Sequence, residues 1–209
     1  MPATHYMLLM ASWLLFGVGH SFLAGSRLHA LFGGWSRLAY NLIAVTMTAV
    51  PLAILASYPA TPLWHEPSWL QPIRLVICGA VGLGFLHTLK FYSVTGFLGL
   101  KEEVWPLTFS PWHCWVRHPW YFLMLIFIWT QPMTDTWLIS VLCISLYLIV
   151  GSRKEEGRIL AHHPSAYSQY KKIVPGLIPW RGRALDKNTR VRLETLALKV
   201  QQESLHIHD

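Results

Sequence analysis

Residues Tyr6–Ala24 and Leu38–Ala56 contain no Asp, Glu, Lys or Arg. Runs of this length match the ~20 residues a helix needs to cross bilayer hydrocarbon. Three more apolar segments follow, Ile73–Phe91, Pro119–Gln131 and Thr136–Gly151. Hydrophobic residues make up 53% of the chain and charged residues 13%, about half the charged share of a soluble domain. Trp, a residue of membrane interfaces, occurs 11 times. The expectation is an all-α integral membrane protein with about five transmembrane helices and further helices in the C-terminal region. The last two segments are short and read as a compact hairpin. Its turn lies at Pro132–Thr136, with Asp135 as the helix N-cap.

Basic residues orient the spans. All but Arg74 of the 17 Lys and Arg fall in regions that share one side of the membrane. By the preference of basic loops for the cytoplasm, the N-terminus faces out and the C-terminus in, as in a bacterial inner membrane. The pI near 9.5 is accounted for by this topology and by attraction to anionic lipid, so no nucleic-acid partner is expected. Met1–Gly25 has no basic start and too long an apolar stretch for a cleaved signal. The three cysteines lack paired spacing, which implies no disulfide framework.

Three regions are expected: a three-helix membrane region at 1–92, a C-terminal core at 93–182, and a tail at 183–209. In the tail, Leu193, Leu196, Ala197 and Val200 share one helical face, the pattern of a surface or interfacial helix. Gly79, Gly82 and Gly84 have no strand or acidic partner of a nucleotide fold and read as small residues that let helices approach. His162, His163, His206 and His208 are the one conceivable zinc set, and their setting argues against it. No metal is expected.

Polar groups inside apolar segments are costly and mark function. On this topology they gather at the inner side: His20 and Ser21 at the end of the first span, Asn41 at the start of the second, His87 at the end of the third. Arg117 and His118 precede the fourth, with Tyr121 one turn in, and Glu155 and Glu156 follow the fifth. Pro119 suits a first helical position, where its missing N–H costs nothing. The helix start and the Arg117 fork favour a carboxylate, and the two glutamates suit a cationic amine. A zwitterionic ligand in a cytoplasmic pocket is the expectation.

The stretch Trp115–Pro179 resembles the membrane methyltransferases typified by isoprenylcysteine carboxyl methyltransferase. The resemblance rests on RHPWYF at 117–122, Trp129, RKEEGRIL at 153–160, Tyr167 and Tyr170 in AYSQY, and VPGLIP at 174–179. GHSFLA at 19–24, YNLIA at 40–44 and WTQPMT at 129–134 look like the methanethiol S-methyltransferase and NnrU-like branch.

The resemblance implies S-adenosylmethionine, bound without a Rossmann domain by Arg117, His118, Tyr121, Glu155 and Glu156, with Trp115 and Val116 alongside. Tyr167 and Tyr170 would wall the adenosine. The acceptor would be a small thiol or another lipid-soluble substrate, in a pocket bounded by His20, Ser21, Asn41 and His87. A thiol must lose its proton to attack, so His20 or His87 would act as base, with Arg117 the third catalytic candidate. Rival readings are an isoprenylcysteine carboxyl or phospholipid methyltransferase. An NnrU-like or haem protein with His20 and His87 as axial ligands is the non-enzymatic alternative.

Overall fold

The computed structural model describes residues 3–23, 31–91, 95, 107–182 and 184–206, with backbone alone beyond residue 199. Ala24, Arg27, Lys101, most of 93–106, Arg183, His208 and the side chains of Val200 and His206 therefore lie outside the described residues. The regular elements among the described residues are helices: α1 (Ala3–Leu23), α2 (Ser36–Ala56), α3 (Leu70–Leu89), α4 (Pro119–Thr130), α5 (Asp135–His162), α6 (Pro164–Ile173) and α7 (Lys187–His206), with short 3-10 turns at Gly33–Trp35 and Trp112–Cys114. The protein is an all-α membrane protein.

Four helices, α1, α2, α3 and α5, are long and apolar enough to cross a bilayer. Their large apolar side chains face outward: Leu15, Val18, Val45, Val76 and Leu83 are each more than 60% exposed. Exposure on that scale suits lipid, where apolar surface carries no hydration cost.

The expected hairpin of two short segments needs correction at its second arm. Helix α4 has only 12 residues, roughly 18 Å at 1.5 Å per residue, but α5 has 28, roughly 42 Å on the same rise. Its apolar run ends at Gly151 as read, yet the helix continues through the charged stretch to His162. The cap is corrected too. Thr134 Oγ1 accepts from the Trp137 N–H at 3.1 Å, which is the N-cap bond three residues into a helix. Asp135 is instead a tie point: its carboxylate accepts from the Tyr6 hydroxyl at 2.7 Å, the Thr61 N–H at 3.0 Å and the Thr136 N–H at 2.7 Å.

The chain forms two compact units, Met1–Glu103 with Leu125–Leu148, and Val104–Met124 with Ile149–Asp209. In the first, α1 packs on α2, and Trp13 donates to Ser140 on α5 at 3.0 Å. Close approach is permitted by Gly17 and Gly19, where a Cβ would press on Tyr147 and Met47. Gly79 and Gly82 do not have that role: a Cβ there would meet nothing within 4 Å.

In the second unit Phe109, Cys114, Tyr167, Tyr170, Val174, Leu185 and Leu193 form the core. Helix α7 is capped by Asp186, whose carboxylate accepts from the Thr189 N–H at 2.9 Å. Its apolar face is turned inward, with Leu193 and Ala197 buried. Of the two forms expected for the tail, a surface or an interfacial helix, the buried Leu193 and Ala197 match a surface helix whose apolar stripe packs on protein.

Candidate functional site

Helix α4 opens on His118, whose carbonyl accepts from the Phe122 N–H at 3.0 Å. Pro119, the first helical residue, has no N–H to satisfy. The two residues before it are fixed by a returning strand of loop: Arg117 N–H donates to Pro175 O at 2.9 Å and His118 N–H to Gly176 O at 3.2 Å. Gly176 packs closely under Arg117: a Cβ there would lie 3.2 Å from Arg117 Nη2, so the guanidinium would have to give by a few tenths of an ångström.

That guanidinium does not wait for a ligand carboxylate. Its Nε donates to Glu156 Oε1 at 2.8 Å, and Nη2 lies 2.7 Å from the same oxygen. Nη1 donates to the Lys171 carbonyl at 3.2 Å and to the Val174 carbonyl. The side chains of Arg117 and Glu156 are 12% and 7% exposed, so each desolvated charge depends on the other. Arg117 thus binds α5 and the 174–176 loop to the start of α4. Arg117 and Glu156, expected as separate ligand-binding ends, are partners of each other in this structure.

Two half-exposed charges flank the buried pair. Lys171 Nζ lies 2.8 Å from Glu156 Oε2 with its side chain 49% exposed. Glu155, 50% exposed, lies 3.4 Å from His118 Nδ1, and His118 Nε2 lies 3.1 Å from Glu156 Oε1. His118 is buried and stacks on Tyr121 with centroids 5.3 Å apart and planes 12° off parallel. An anion and a cation, each with open faces, therefore stand on a neutralised base. Trp115 is exposed and Val116 buried. Tyr167 and Tyr170 are buried in the core, and the Tyr170 hydroxyl donates to the His113 carbonyl at 2.7 Å. Burial, with Glu156 adding, pushes the Tyr167 hydroxyl up from its usual range.

The residues expected to bound an acceptor pocket fall in the first unit. His20 is half-buried, with the Tyr147 hydroxyl 2.6 Å from Nδ1 and the Tyr40 hydroxyl 2.6 Å from Nε2. The Tyr40 hydroxyl also lies 2.9 Å from Nδ1; a neutral imidazole donates from one nitrogen and accepts at the other, so the tautomer sets which phenol donates to the ring. Both nitrogens are thereby engaged, which works against axial ligation of a haem. Ser21 and Asn41 are half-buried. His87 is exposed and meets Phe91 edge-on, centroids 5.4 Å apart.

The chain is similar to two proteins named methanethiol S-methyltransferase. One, from Crocosphaera subtropica, is 33% identical over 86 residues, 40% of this chain and 34% of that protein. The other, methanethiol S-methyltransferase 1 of Bradyrhizobium diazoefficiens, is 28% identical over 191 residues, 84% of this chain and 66% of that protein. The chain thus spans about a third and just under two thirds of these relatives. No family model matches, and no solved structure does.

Lys171, Tyr40, Tyr147 and Gly176 were not among the residues singled out as site candidates. Tyr147 carried a signal, being a phenol in a charge-free, mostly apolar run, where a polar group needs a partner. Lys171 carried none, since it is one of a pair of adjacent lysines on a short polar helix.

Proposed function

We propose that the chain is an integral-membrane methyltransferase that uses S-adenosylmethionine to methylate a small thiol such as methanethiol. The observation that carries the proposal is the half-exposed Glu155 and Lys171 flanking the buried Arg117–Glu156 pair at the mouth of an apolar helix. The relatives' names support the reaction class. The donor set fits the amino-acid end of this cofactor with one exchange: Lys171, not Arg117, is the cation available to its carboxylate. Glu155 would take the ammonium, with His118 and Tyr121 orienting that carboxylate. When bound, the cofactor supplies a sulfonium methyl group for displacement by a thiolate.

The chain's own contribution is to hold charges and manage a proton. Arg117 and Glu156 fix the floor, so that Glu155 and Lys171 are positioned before a ligand arrives. His20, braced by Tyr40 and Tyr147, is the proposed base: since both ring nitrogens already meet a phenol, the thiol gives its proton to the phenol oxygen that donates to the ring as that phenol's own proton passes to His20, leaving the thiolate as nucleophile. The basic C-terminal half faces the cytoplasm of a bacterial inner membrane under this proposal, with the N-terminus outside. Equilibrium binding of S-adenosylhomocysteine to the purified full chain, followed by a methanethiol methylation assay, tests it. Absence of both sinks it.

A further inference from the structure

The second unit carries an exposed feature that its core does not explain. In the loop after α6, Ile178 is 62% exposed and Trp180 71% exposed. The loop is nevertheless well tied. Trp180 N–H donates to Ile178 O at 2.9 Å and Gly182 N–H to Pro179 O at 3.2 Å. Gly182 takes a left-handed φ of 65° that closes the turn. Arg181 lies over the Trp180 ring, 4.8 Å from Cζ to centroid, and donates to the Ile173 carbonyl at 2.9 Å. Two large apolar side chains are thus held outward by a fixed turn.

Three observations identify what they meet. First, the loop is next to the start of a short apolar helix: Pro175 and Gly176, directly before it, accept from the backbone of Arg117 and His118, and α4 begins at Pro119. Second, Trp180 and the exposed Trp115 are the residue type enriched at the headgroup level. Third, residues 157–185 contain no Asp or Glu and five Lys or Arg, among which Lys172 and Arg181 are exposed. Basic charge beside exposed aromatic and branched side chains fits an anionic lipid surface.

We propose that the loop Leu177–Gly182 is a membrane-interface anchor, with Ile178 and Trp180 inserted at the headgroup boundary and Lys172 and Arg181 facing lipid phosphate. The anchor seats the 174–176 loop, and with it the Arg117–Glu156 floor, at the bilayer surface. The inference does not depend on the methyltransferase proposal: it concerns where the unit sits, whatever reaction it carries.

Full chain with Cys78, Cys114 and Cys143 replaced by Ala and a single environment-sensitive fluorophore on Ile178→Cys, or separately on Trp180→Cys, is reconstituted in two kinds of vesicle. One is phosphatidylcholine, the other phosphatidylcholine with phosphatidylglycerol. The anchor predicts blue-shifted emission, quenched by lipids brominated in the acyl chain and shielded from aqueous iodide. Quenching by brominated lipid is stronger with phosphatidylglycerol, and that increment is lost in Lys172→Gln/Arg181→Gln. Water-like emission at both positions, open to iodide and untouched by brominated lipid, overturns the proposal. Equal quenching in the two vesicles overturns its electrostatic half.

Discussion

Arg117 Nη2 and Glu156 Oε1, on residues 39 positions apart in the chain, lie 2.7 Å from each other in a setting almost closed to solvent. Removing one partner of such a pair leaves an uncompensated buried charge, at a cost of about 3–5 kcal/mol. Arg117→Ala also frees the Lys171 and Val174 carbonyls that the guanidinium holds. The expected outcome is a loss of stability of that order in detergent, seen as a lower unfolding midpoint. An unchanged midpoint would show that the pair holds nothing together.

How far this arrangement could be read from sequence differs from element to element. The charge-free runs reveal α1 and α2 because hydrocarbon tolerates little else. The length of α5 is hidden, since the apolar signal stops at Gly151 while the helix goes on through residues chosen for water and for Glu155 and Glu156. The chemistry of Arg117 and Glu156 is legible as cation and anion. That they neutralise each other depends on how the chain brings α4 and α5 together, and no local pattern encodes it. Likewise the sequence points to Asn41 near His20, whereas the neighbouring Tyr40 and the distant Tyr147 meet the ring, which local pattern does not encode.

The second prediction concerns pH. His113 is partly buried, and its Nδ1 lies 2.7 Å from the Ser110 hydroxyl. Burial first, then the charges of His118 and Arg190, lower its pKa to about 4, with Glu155 opposing. In the unfolded chain the ordinary value near ~6.5 applies, so between about 4 and 6.5 the unfolded state binds the extra proton. Stability from this group is full above that window and is lost as pH falls through it. Unfolding midpoints measured across the window should fall with acidity, and less steeply in His113→Gln. Parallel slopes in both proteins would remove His113 from the account.

The third prediction addresses the proposed base. His20→Ala should lower methylation of a small thiol on the order of a hundredfold at neutral pH. At about pH 9, where a thiol of pKa near ~8.5 is largely ionised, the loss should shrink. Tyr147→Phe removes one hydrogen bond to the ring and should show the same pH dependence with a smaller loss, roughly three- to tenfold. Losses independent of pH would make His20 and Tyr147 packing residues.

The central claim is that Glu155 meets the ligand while Glu156 holds the floor beneath it. Binding of S-adenosylhomocysteine, measured by calorimetry on the full-length protein and on Glu155→Gln, tests this most directly when the unfolding midpoint of each is recorded alongside. A charge-assisted hydrogen bond is worth about 1.5–3 kcal/mol. The account therefore predicts binding weakened roughly ten- to a hundredfold in Glu155→Gln, with the midpoint close to that of the unaltered protein. Equal affinity in the two proteins, or no binding to either, would contradict it.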